Sequence, residues 1–189
     1  MKLIRNMLAG LYVNLFMVIA LIITLLRGLI RYNSGNILKS LLIAAVVITL
    51  ILNSILAVKN IINTYRLYKE RQYNLLRKYM KVVKLGMIPY FIINFVIYIL
   101  LFMLFFAASR GLVIFTPIPL LFIIPIFFTY LSMLFTSCYG IGFAAIVNRE
   151  KNLGSLKFIV HILFQLCFIL DVVSTIILLL KYNQDSRLI

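Results

Sequence analysis

The stretch KFIVHILFQLCFILDVVSTIILLLK, residues 157 to 181, holds one aspartate and one histidine inside an apolar run bounded by a lysine at each end. A carboxylate in such a run can carry a proton, ligate an ion or bond helix to helix. A charge at the centre of a bilayer costs at least about 2.5–3.5 kcal/mol, so Asp171 has to face protein or water, pair with a cation, or be protonated. On a wheel at about 100° per residue, His161, Gln165, Cys167, Asp171, Ser174 and Thr175 share one hemisphere, and Ile162, Leu166, Ile169 and Val173 take the other. No Lys or Arg lies well inside another apolar segment, which argues against an intramembrane ion pair. The expectation is a neutral Asp171, or one held by hydrogen bonds.

Donors for such bonds exist. Asn14, Asn53 and Asn94 lie in other apolar segments at a depth shared with His161 and Gln165, and together they predict a buried amide layer. With Asp171 these five form the candidate intramembrane polar site. Its two uses are helix-to-helix hydrogen bonding and passage of a small solute or proton.

Catalytic templates are not met. An intramembrane aspartyl site needs two facing aspartates, and one His with two Cys is thin for zinc. There is no G-x-S-x-G, H-E-x-x-H or phosphate loop, and the GIG at 140–142 lacks the lysine and strand-turn-helix setting of the last. The reading is a protein that is not an enzyme, with no catalytic residue, metal or cofactor.

These residues are carried by very apolar elements. The 189 residues are 65% hydrophobic and 12% charged, with a mean hydropathy of +1.13, far from a water-soluble domain. Five stretches reach the roughly 20 apolar residues that a spanning helix needs: 7–26, 40–58, 85–107, 119–147 and 158–180. None alternates as a barrel strand does. The predicted fold is all-α, a polytopic transmembrane helix bundle forming one membrane-embedded domain over 1–189. Pro117, Pro119 and Pro125 predict a kinked entry to the fourth segment. The first apolar part is too long for a signal peptide and lacks an A-x-A-like site, so it reads as a retained helix. Cys138 and Cys167 both lie in apolar segments and read as free thiols.

The net charge of +15 sits in the loops, where topology and anionic lipid account for it, so nucleic acid is not an expected partner. Thirteen of the nineteen Lys and Arg fall on one side if the amino terminus is cytoplasmic, which sets that orientation and places the protein in a plasma membrane. Eight of them lie in the basic segment 59–84, which contains no Gly or Pro. Its apolar residues recur at helical spacing with a gap near Gln72 where a turn fits. Arg66, Lys69, Arg71, Arg77 and Lys78 are candidate contacts for anionic headgroups or a protein partner. In the fourth segment Ser132, Thr136, Gly140 and Ala144 repeat at four-residue intervals, a small-residue face for close packing within the chain, in a homo-oligomer or against another subunit.

The run HILFQLCFILDVVSTIILLLKY, together with five spans and a basic central loop, resembles an uncharacterised family of small membrane proteins from Firmicutes, and the resemblance implies no activity. The abundance of Ile, Phe, Lys, Tyr and Asn resembles that of low-GC bacterial proteins. Substrate-capture subunits of energy-coupling-factor transporters are similar in size and hydrophobicity, but this chain has few glycines and no matching coupling motif. The expected function is an accessory or scaffold subunit that binds another membrane protein, with a carrier using Asp171 as the alternative.

Overall fold

The computed structural model describes residues 1–30, 36–112, 118–151 and 154–181, and among them every regular element is an α-helix. Pro117 and the polar tail from 182 lie outside the described residues. Four helices carry stretches long and apolar enough to cross a membrane: α1 (Lys2–Ile30), α2 (Asn36–Lys69), α3 (Tyr73–Ala108) and α4 (Ile118–Lys151). The 36 residues of α3 extend about 54 Å, longer than the roughly 30 Å thickness of a bilayer's hydrocarbon core. Pro89 and Pro125 lie inside α3 and α4. The carbonyl of Pro125 accepts from Thr129 Oγ1 at 2.9 Å and from Tyr98 Oη at 3.1 Å.

The fifth predicted span, 158–180, is not a single helix. It is α5 (Ser155–Gln165, 11 residues) followed by α6 (Phe168–Lys181, 14 residues), about 16 and 21 Å long and each too short to cross. His161 Nδ1 lies 2.9 Å from Ser174 Oγ, a pair that a continuous helix would separate by about 20 Å. The chain therefore reverses at Leu166–Cys167, and the five predicted span-length helices are corrected to four, followed by a short helical hairpin. Two i→i+3 bonds close α5, from Leu166 N to Leu163 O and from Cys167 N to Phe164 O, both 3.1 Å. The Leu166 carbonyl, freed by the turn, accepts from Tyr130 Oη of α4 at 3.2 Å. Hydropathy could not reveal the reversal because the turn contains no Gly or Pro and both arms are apolar.

Contacts within the chain group into two compact units, Met1–Asn60 and Ile61–Ile189. In the first, α1 buries Ile4, Met7, Leu11 and Leu15, spaced three and four apart as one helical face requires. Asn14 Nδ2 donates to Thr49 Oγ1 of α2 at 2.7 Å. Gly10 lets α2 come close: a Cβ there would stand 2.1 Å from Asn53 Oδ1.

The second unit holds the end of α2, then α3, α4 and the hairpin. In α3 the buried residues Leu76, Met80, Val83, Lys84, Met87, Tyr90 and Asn94 form one stripe over its amino-terminal two thirds. Tyr73 packs on Phe143, and Tyr79 meets Tyr139 edge to face with ring centroids 5.9 Å apart, zipping α3 to α4.

Segment 59–84 consists of the last turns of α2 and the first of α3, joined at 70–72. The joint is a Schellman closure: Gln72 N donates to Leu67 O at 3.0 Å and Arg71 N to Tyr68 O at 3.2 Å, with Arg71 left-handed at φ 54°. A left-handed non-glycine residue costs roughly 1–2 kcal/mol, more than the added chain entropy of glycine. Arg71→Gly is therefore expected to stabilise the protein by about 0.5–1 kcal/mol, read as a higher midpoint in thermal unfolding of the detergent-purified chain.

Candidate functional site

Asp171 lies in the first turn of α6, and its carboxylate is bound by a cation. Lys84 Nζ of α3 reaches both carboxylate oxygens and donates to Ser137 Oγ of α4 at 3.0 Å. Ser137 in turn donates to Met133 O at 2.9 Å, leaving its lone pairs for the ammonium. The side chains of Lys84 and Asp171 keep only 6% and 2% of their surface exposed. Removing each ion from water costs several kcal/mol, which is offset only because the ammonium meets both oxygens and a third acceptor. The expectation of an Asp171 without a cationic partner is thereby corrected. Placed in a straight fifth span, Asp171 is far in height from Lys84, which precedes the third apolar stretch; the reversal at 166–167 brings the two level.

Around this pair α6 presents one polar face to the protein: Asp171, Ser174 and Thr175 are all buried, with Leu178 one turn on. Thr175 Oγ1 donates to Asp171 O at 2.8 Å and accepts from Gln165 Nε2 of α5 at 3.4 Å. His161 bonds Ser174, so His161 and Gln165 of α5 both serve the hairpin. Gln165 is fully buried, and its Oε1 has no hydrogen-bond partner among the described residues. It presses on Gly140 of α4, where a Cβ would stand 2.1 Å from that oxygen. Of the small-residue face, Thr136, Gly140 and Ala144 are buried and Ser132 is partly exposed. Gly140 is the point where that face admits α5.

The remaining predicted residues fall elsewhere. Asn94 donates to Tyr90 O at 2.9 Å and accepts from Tyr98 Oη at 3.3 Å, and Tyr98 lies 2.6 Å from Thr129 of α4. It belongs to the α3–α4 seam, where it bonds Tyr90 and Tyr98 rather than Gln165 or His161. Asn14 and Asn53 belong to the first unit. Asn14 is bonded there, while the buried Asn53 Nδ2 has no partner among the described residues. Asn14 and Asn94 are thus each bonded within their own unit.

On the basic segment, Arg66 is exposed and pairs with Glu70 Oε1 at 2.7 Å, and Lys69 and Arg71 are exposed. Arg77 donates to Leu179 O at 3.3 Å, which ties the end of α6 to α3, and Lys78 is exposed one position further. No group of three or more His, Cys, Asp or Glu side chains gathers among the described residues.

Sequence reasoning missed Lys84 and Ser137. A signal for the first was present: Lys84 shares a helical face with Leu76, Met80, Val83 and Met87, so a cation sits on an otherwise apolar stripe.

Lys84→Met or Asp171→Leu alone is expected to cost about 3–5 kcal/mol, since each leaves an uncompensated buried charge, and the double variant to recover most of that loss. Thermal unfolding of the three variants in one detergent measures it. Gly140→Ala is expected to cost about 1–3 kcal/mol by overpacking against Gln165, and Gln165→Ala in the same chain to relieve the clash, a coupling that a double-mutant cycle reads directly.

No curated protein and no solved structure matches the chain. A family model matches residues 2–184, nearly the whole length. The chain belongs to that family, described as a family of unknown function (DUF6652).

Proposed function

We propose that this protein is a non-enzymatic subunit of a bacterial cytoplasmic membrane, crossing it four times and serving as an accessory or scaffold for another membrane protein. The observation that carries the reading is that the polar groups of the second unit's candidate site are engaged with one another. Lys84, Ser137 and Asp171 hold one another, His161 holds Ser174, and Gln165 holds Thr175. Such a set locks a hairpin against two helices. Outward-facing charges cluster instead on the basic segment around the α2–α3 turn.

Four crossings rather than five return the chain after α4 to the side where it began. Lys181 then joins the basic segment on the cytoplasmic side, which increases the positive-inside bias. Lys84 precedes the apolar stretch 85–107 and sits at the inner edge of the hydrocarbon. The hairpin enters from that side as a re-entrant element packed on α3 and α4, with the Leu166 carbonyl at its turn bonded by Tyr130.

A carrier remains the second reading because Asp171 stands in the first turn after a break between two short helices, a place where transporters bind ions.

The two readings separate on one pair of measurements. Expressed at native level and purified in mild detergent, the protein is expected to hold a stoichiometric membrane partner by intact-assembly mass spectrometry. Lys69→Glu with Arg71→Glu should release that partner, and an unchanged complex counts against the scaffold. The charge-free double variant Lys84→Met and Asp171→Leu should keep the complex. If it instead loses proton uptake into liposomes that the parent protein supports, the carrier reading takes its place.

A further inference from the structure

Between the amino-terminal turns of α3 and the exposed side of α6 lies a groove of about 530 Å³, within the size range of ligand sites. One wall is cationic, with Arg77, Lys78 and Lys81; the other is apolar, with Ile176, Leu179 and Leu180. Asn74, which also lines the groove, Lys78 and Lys81 follow one another at helical spacing, and Leu85 continues the same face of α3, 59% exposed. Ile176 and Val173 extend the apolar wall along α6 in the same direction. The groove therefore runs from a cluster of positive charge into exposed hydrocarbon side chains.

The pattern has a chemical complement on the page. No acidic side chain lines the groove among the described residues, and the two acids whose side chains are described are committed elsewhere, Asp171 to Lys84 and Glu70 to Arg66 and Gln72. An occupant has to bring negative charge to one end and an apolar body to the other. The groove is also held open by structure: the Lys84–Asp171 pair fixes α6 beside α3 at one level, and the bond from Arg77 to Leu179 O fixes it about two turns away.

We infer that this groove is a binding site for one anionic phospholipid, with its phosphate between Lys78 and Lys81 and its acyl chains running along Ile176, Val173 and Leu85. A soluble phosphate ester would leave the apolar wall wet, and a zwitterionic lipid would set its own cation against the lysines. The inference rests on the membrane reading above but not on the scaffold role.

The test uses the full chain in nanodiscs of equal phosphatidylglycerol and phosphatidylcholine, released into detergent and weighed intact. One phosphatidylglycerol per chain is expected to stay bound in preference to phosphatidylcholine. Lys78→Gln with Lys81→Gln should reduce its retention about ten-fold or more, with the thermal midpoint unchanged. Lys69→Gln with Arg71→Gln, the same change in net charge outside the groove, should leave retention as it was. Equal retention of both lipids, equal loss in the two double variants, or displacement of the lipid by glycerol phosphate alone would each overturn the site. Recovery of the protein in the carbonate-washed membrane fraction separates these outcomes from failure of the membrane reading itself.

Discussion

The second unit depends on one electrostatic constraint. Lys84 and Asp171 are each too costly to bury alone, and among the described residues each meets its opposite charge in the other. Satisfying that pair forces α6 to lie beside α3 with its first turn level with Lys84, and this is possible only if the chain doubles back after α5. Ser137 completes the site from α4, so three helices are registered against one another by a single ammonium.

Packing then adapts to that register. Thr175 and Ser174 turn the same face of α6 toward α5, where Gln165 and His161 supply the matching groups. The buried amide of Gln165 needs room, and Gly140 leaves it by carrying no side chain. At the carboxyl-terminal end of α6, Arg77 binds a carbonyl that the terminating helix leaves without an internal partner. The groove beside Lys78 and Lys81 follows from this clamping, because α6 is held parallel to the basic turns of α3 at two heights.

Much of the architecture was legible in the sequence, for local reasons. Helical secondary structure, the four long apolar elements and the turn between α2 and α3 follow from hydropathy, spacing and the gap in apolar residues near Gln72. The unusual residues of 157–181 were also legible as a group, since His161, Gln165, Asp171, Ser174 and Thr175 stand out against an apolar background. Their partners were not. A helical wheel of one continuous span puts Gln165, Asp171, Ser174 and Thr175 on a common side, but Cys167, assigned there too, is exposed at the turn. A hairpin also lets the two halves bond each other, which no property of a single helix reveals.

The sequence by itself determined that the chain is helical, strongly apolar and basic between its apolar segments, because those properties reside in residue type and period. Only the tertiary structure decided that the last apolar run is a hairpin rather than a span, and that Asp171 is the counterion of Lys84. Both depend on which groups meet across the more than eighty residues between Lys84 and Asp171, because either charge buried without the other would cost about 3–5 kcal/mol.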